Sequence, residues 1–141
     1  MTMGLIYADI EIINAGDMEV ARRGYINEVD VRKTSVKAMV DSGAYMLAIN
    51  ENIATQLGLV AVDKKLASLA DGSTITLEVV GPVEIRFANR KTNVMAMVLP
   101  GDSEVLLGAI PMEDMDVIID LPKQQLIVHP DRPYIPKMAL K

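Results

Sequence analysis

Asp41 ends an apolar run and opens a tight turn. The segment reads Ala38-Met39-Val40-Asp41-Ser42-Gly43-Ala44, an alternating strand that runs into a carboxylate, a small hydroxyl residue, a glycine and another small residue. A carboxyl group presented at the end of a buried strand is fixed by the fold yet open to water, the setting in which it can act as a general acid or base. Gly43 permits the turn and lets another backbone come close. As three letters, Asp-Ser-Gly is also an ordinary strand-to-loop turn with a side chain bonded to its own backbone, so its weight depends on what surrounds it.

The other candidate groups are weaker. His129 is the single histidine and precedes Pro130; with no partners in view for a triad or a metal, it reads as a surface residue. Glu113, Asp114 and Asp116 cluster, but oxygen-ligated metal sites need more ligands at defined spacing, so they read as a charged helix start and loop. Arg22-Arg23-Gly24 reads as a solvated turn before a strand. Cysteine is absent, which excludes disulfides, thiol catalysis and Cys-ligated zinc and suits a reducing compartment. Neither a metal nor a cofactor is expected.

The elements that must position Asp41 are mostly strands. Ile6, Ala8, Ile10 and Ile12 alternate with Tyr7, Asp9 and Glu11, the period of a half-buried strand. The same alternation appears at Val29 and Val31, at Val36 to Val40, at Ile75 to Val79, and at Val83 to Phe87 after Gly81-Pro82. Ala88-Asn89-Arg90-Lys91 reads as a hairpin turn into Thr92 to Leu99. Val117 to Ile119 and Gln125 to Val128 form the last pair. Helix is scarce: Asn50 is placed to cap Glu51 to Leu57, with Gly58 as a left-handed stop, and Pro111 to Met115 is a second short candidate. Many short strands punctuated by Gly, Pro and Asn predict an all-β domain, closed or sandwiched, with one or two short helices.

The chain has 141 residues, which suits one domain over 1–141 with an extended tail at 129–141 that carries three prolines. Hydrophobic residues make up 50% and charged residues 23%, a globular balance rather than a disordered one. With net charge −5, no basic run, one Phe and no Trp, the chain has neither the charge nor the stacking groups of a nucleic-acid binder. No segment reaches the roughly 20 apolar residues of a membrane span, and Met1 to Asn14 lacks the pattern of a signal peptide. A cytoplasmic protein with no membrane partner is expected. The ten methionines read as flexible core filler.

Three blocks in order resemble the retropepsin-like aspartic proteases, the family of the retroviral proteases and their single-domain cellular relatives. VDSGAYMLAINENIATQLGL at 40–59 matches the family's Asp-Thr/Ser-Gly-Ala, the apolar strand after it and the short helix ending in Leu-Gly-Leu. VLLGAIPMEDMDVIID at 105–120 matches its two apolar residues and Gly, then a helix and a strand. LASLADGSTIT at 66–76 lies where the family places its flap hairpin. The resemblance implies a closed β-barrel of the acid-protease type with Asp41 as catalytic residue. It implies an active loop of Ser42, Gly43 and Ala44, a substrate-binding flap of Ala70, Asp71, Gly72 and Ser73, and support from Leu106, Leu107 and Gly108. Plain core packing explains Leu106 and Leu107 equally well. The viral enzymes carry acidic residues after the active Ala and an Arg soon after the late Gly. Tyr45-Met46 and Ala109-Ile110 stand there instead, so the ion pairs that brace the viral dimer do not carry over.

Pepsin-type chemistry, which the resemblance implies, needs two carboxylates sharing one proton. Asp71-Gly72-Ser73 is no second copy of the active loop, because no apolar strand feeds it and it reads as a hairpin tip. One Asp per chain then requires a two-fold homodimer acting on a peptide or protein substrate. The competing expectations are a non-catalytic peptide-binding or scaffold module of the same fold and an unrelated small β domain for protein interaction.

Overall fold

The alternation at the start of the chain forms an eight-residue strand, β1 (Tyr7–Asn14), whose Ala8, Ile10 and Ile12 point into the core. This is a computed structural model that describes residues 5–140; Met1 to Gly4 and Lys141, the ends of the expected domain and tail, lie outside it. The further elements are α1 (Ala15–Arg22), β2 (Lys33–Val40), β3 (Leu47–Asn50), α2 (Glu51–Gln56), β4 (Ala61–Ser68), β5 (Thr74–Phe87), β6 (Arg90–Leu99), β7 (Leu106–Leu107), α3 (Ala109–Met115), β8 (Val117–Asp120) and β9 (Gln125–Val128).

Six strands close into a barrel. Their order is β1-β2-β7-β3-β6-β5, and β5 returns to pair with β1 through Glu11↔Arg86 to Asn14↔Val83. Closure removes the open edges that a flat sheet would leave. The barrel interior is filled by residues such as Ile12, Ile49, Val83, Ile85, Ala96 and Leu107, and Met115 and Leu126 pack against them from outside the barrel strands. The all-β expectation with few short helices therefore holds.

β5 is one long strand, not the two expected on either side of Gly81-Pro82. Its register shifts between Val80 and Val83. This irregularity bends the strand, so residues before it pair with β4 while Val83 to Arg86 pair with β1. β4 projects beyond the barrel, paired only with β5. Nearly all of it is exposed, so it carries no inward-outward alternation for a sequence reading to find.

Two expectations for the 15–31 region are corrected. Ala15–Arg22 is a helix, capped by Asn14 whose Oδ1 accepts the Asp17 N–H at 3.0 Å. Arg22 therefore ends a helix, while Arg23 and Gly24 form the expected exposed turn, which leads to a 3-10 turn and not directly to a strand. Val29 does not lie in a strand: Glu28–Asp30 is a single 3-10 turn, and the local alternation of Val29 with Glu28 and Asp30 reflects no sheet. Met18, Ile13 and Val31 make a small second core beneath this helix.

Arg22 also serves the barrel. It donates to Glu84 Oε1 at 2.9 Å and Arg86 donates to Glu84 Oε2 at 2.7 Å, and the Glu84 side chain is 2% exposed. Burial pushes the Glu84 carboxyl toward the neutral form, but the two guanidinium groups outweigh it and hold the pKa below the ordinary glutamate value. A depressed folded-state pKa stabilises above the unfolded value of about 4.3 and loses that contribution as pH falls through the folded one. Glu84→Gln should therefore cost about 1–2 kcal/mol at pH 7, limited because both arginines can turn to water. Urea unfolding at pH 7 and pH 3 should show the gap between variant and wild type shrinking in acid. A gap that stays constant would mean the pair contributes no charge-dependent stability.

The chain after β9 is tied back to the barrel. Asp116, left-handed at φ +55°, accepts from Arg132 at 2.6 and 3.0 Å and from the Lys137 N–H at 3.0 Å. These bonds hold the Asp116 carboxyl far below the usual range. The β5–β6 turn holds the same segment, with Asn89 Nδ2 donating to the Pro133 carbonyl at 2.7 Å and the buried Arg90 donating to that of Arg132.

Candidate active site

Asp41 stands where three strands converge. β2 runs parallel to β7 with Met39 opposite Leu106 and Val40 opposite Leu107. The Asp41 N–H donates to the Leu107 carbonyl at 3.0 Å and the Met39 N–H to that of Val105 at 2.8 Å. From the other side, the Val40 N–H bonds the Ile6 carbonyl at 2.8 Å. The backbone that carries the carboxylate is thus held by strands on both flanks, while the side chain is half-buried and Ser42 and Gly43 are exposed.

The loop after Asp41 is closed by its own bonds. Asp41 Oδ1 accepts from the Gly43 N–H at 3.0 Å, and the Ala44 N–H donates to the Asp41 carbonyl at 3.1 Å. One carboxylate oxygen is therefore fixed in the loop plane.

Gly108 locks this loop to the second motif. A Cβ there would lie 2.3 Å from the Met46 carbonyl oxygen, 2.8 Å from that of Ala44 and 2.9 Å from the Tyr45 carbonyl carbon, all backbone atoms. The close approach brings the Ala109 N–H to the Ala44 carbonyl at 2.8 Å and the Ile110 N–H to that of Tyr45 at 2.9 Å. Ala109 and Ile110 were not singled out as site residues from the sequence; the only available signal was their place just after Gly108. Leu107 is fully buried and Leu106 partly so, and both support Asp41 through the strand they form.

The residues 70–73 form the tip of the β4–β5 hairpin. The Leu69 N–H bonds the Ser73 carbonyl at 2.8 Å, and the Gly72 N–H bonds that of Leu69 at 3.0 Å. Asp71 Oδ1 accepts from the Ser73 N–H at 2.9 Å and from its hydroxyl at 2.5 Å, which lowers the Asp71 pKa. Asp71 is therefore a turn-holding residue, a different setting from that of Asp41. A cavity of about 410 Å³ opens between the base of the β4–β5 hairpin and the segment just after the active loop, lined by Tyr45, Met46, Val62, Lys65, Val94 and Ile110 among others, with neither Asp41 nor the hairpin tip in its wall.

Of the remaining acidic candidates, Glu113 is exposed on α3 and the other two are engaged elsewhere. Asp114 accepts from the Thr92 hydroxyl, and Asp116 is taken up by Arg132 and Lys137. His129 is partly buried, its Nδ1 accepting from the Asp131 N–H at 3.2 Å.

A strand-delivered Asp-Ser-Gly loop, locked under a six-strand barrel by a late Gly that admits no side chain, is the arrangement the three sequence blocks imply. The family model described as "gag-polyprotein putative aspartyl protease" matches residues 27–110, well over half of the chain. The chain belongs to this retropepsin-like aspartyl protease family. Its match takes in the active loop, the hairpin and Gly108. No curated protein matches the sequence. Among solved structures, the retroviral protease-like domain of Ddi1 from Leishmania major is similar to it, with TM-score 0.55 and 18% identity. That similarity covers 92% of this chain and 91% of the other. At this identity the likeness speaks for the retropepsin-like fold alone.

Proposed function

We propose that this retropepsin-like chain is an aspartic endopeptidase that works as a homodimer. The observation that carries the reading is the single accessible carboxylate of Asp41, held rigidly by β7 and its own loop, in a chain with one such loop. A two-fold axis beside Asp41 would bring two copies together. Two carboxyls about 3 Å apart do not both ionise, a splitting for which aspartic proteases are the standard illustration. The ionised Asp41 takes a proton from a water as that water attacks the scissile carbonyl carbon. The protonated Asp41 of the other subunit gives its proton to the carbonyl oxygen. As the diol collapses, the newly protonated Asp41 gives its proton to the leaving nitrogen and the ionised one takes a proton from a diol hydroxyl, which releases the amine and the carboxylic acid and restores the singly protonated pair.

The surrounding residues have roles in the same scheme. Ser42, exposed at the loop, would bond across the axis to the partner's backbone. Gly43 would let the substrate backbone pass, and Ala44 has no hydroxyl to hydrogen-bond the dyad. An extended peptide would add as a strand beneath the hairpin tip, the strand-addition mode of recognition, with the 410 Å³ cavity receiving a side chain. A reducing, cytoplasmic setting fits a barrel held without disulfides.

The test is digestion of casein and of a peptide library, with and without pepstatin, beside sedimentation at several protein concentrations. Pepstatin-sensitive cleavage by a dimer is the expected outcome; a monomer without cleavage would favour a binding module of the same fold. The hairpin gives a second check. Gly72 sits at φ +87° with its N–H bonded, and proline can supply neither that angle nor that donor. Gly72→Pro should raise KM and lower kcat together, each by roughly tenfold, as changes to closing loops do. The melting temperature should move little because the tip lies outside the core. Unchanged kinetics would place the substrate clamp elsewhere.

A further inference from the structure

Three consecutive residues at the start of α2 grip the turn between β6 and β7. Asn50 Nδ2 donates to the Ser103 carbonyl at 3.0 Å, Glu51 Oε1 accepts from the Gly101 N–H at 3.2 Å, and Asn52 Nδ2 donates to Asp102 Oδ1. Asn50 uses both ends of its amide, because its Oδ1 also accepts from the Ile53 N–H at 2.9 Å as the helix cap. The turn is further closed by the Ser103 hydroxyl on the Pro100 carbonyl at 2.6 Å.

This turn leads straight into the strand that holds Asp41. The carbonyls of Val105 and Leu107, which receive the Met39 and Asp41 N–H groups, lie two and four residues beyond Ser103. On the other side, Asn50 ends β3, the strand that begins at Leu47 after the active loop and pairs with β7 through Ala48 and Leu106. The two flanks of the active loop therefore meet at one side chain.

We propose that Asn50 is a positioning residue for Asp41: its bond to the Ser103 carbonyl fixes where β7 sits, and β7 fixes where the carboxylate sits. A helix cap alone would need only the oxygen of this residue, whereas the nitrogen is spent on the turn. Small misplacements of a reacting group are costly even when their source is remote.

The two roles separate by substitution. Asn50→Asp keeps an oxygen for the Ile53 N–H and remains a good N-cap, but it has no donor for Ser103 and sets a negative charge against that carbonyl. Asn50→Ala loses both bonds. In Asn50→Asp, amide hydrogen exchange at Asp41 and Met39 should be about tenfold faster, with Ile53 within about twofold of wild type. Its kcat on a library-derived peptide should fall about tenfold, or about 1.4 kcal/mol of barrier, with KM within about twofold. Rates are compared at concentrations where sedimentation shows both proteins equally assembled. Asn52→Ala, on an exposed residue, should give a smaller change of the same kind.

Unchanged exchange at Asp41 in Asn50→Asp overturns the proposal. So does an Asn50→Ala variant in which only Ile53 exchanges faster, since Asn50 would then be a cap and nothing more. The kinetic arm rests on the endopeptidase reading, and the exchange arm does not. A wild-type chain that cleaves nothing would sink that reading while the exchange data still decide the role of Asn50.

Discussion

Asp41→Asn will abolish peptide cleavage while leaving the barrel and its assembly intact. Asn has the shape of Asp and can accept the Gly43 N–H that Oδ1 now holds at 3.0 Å, so the loop keeps its geometry. It can neither take a proton from water nor carry the shared one. In a homodimer the change removes both catalytic groups at once, and the expected loss is at least about 10³-fold in kcat/KM. Sedimentation should show assembly no weaker than wild type, because two carboxyl groups no longer compete for one proton. Cleavage within about tenfold of wild type would show that Asp41 is not the base, and the proposed chemistry would go with it.

Gly108→Ala should be the most destabilising single change in the site. The new methyl would sit 2.3 Å from the Met46 carbonyl oxygen with two further backbone atoms inside 3.0 Å. No flexible side chain is there to give way, so strand β3 or helix α3 must move. Overpacking of this kind costs about 3 kcal/mol or more, which in a domain of this size lowers the melting temperature by roughly 10 °C. The Ala109 and Ile110 bonds to the active loop stretch with it, so activity should fall even at temperatures where the variant is folded. Thermal unfolding together with rates at 20 °C would check both. A shift under about 3 °C would mean that the close approach carries no weight.

Much of this was legible because burial leaves a period in the sequence. β1 shows its core face at every second residue, and α2 announces both ends through Asn50 and Gly58. The active loop was legible through its chemistry, an apolar strand ending in Asp-Ser-Gly, and Gly108 through its place after two apolar residues. The elements that stayed hidden lack such a signature. β4 is exposed on both faces, so nothing selects an alternation. Helix α1 buries only Met18, so it shows no apolar face of helical period. The alternation at Val29 misled because a 3-10 turn can expose three consecutive residues whatever their polarity. The grip of Asn50 on Ser103 spans 53 residues, a distance at which sequence pattern carries no information on partners.

The parallel pairing of β2 with β7 also bears on how the chain comes into being. The strand that receives the Asp41 amide is made of residues 106 and 107, so its synthesis begins 65 residues after Asp41 is added to the chain. Pairings of such long sequence separation form slowly, because loop-closure entropy is spent before any contact rewards it. Until β7 arrives, the Asp41 backbone is held from the β1 side alone. A nascent chain therefore carries Asp41 without its β7 partner until residue 107 has been added, and the loop takes its final form only with the late crossing strand.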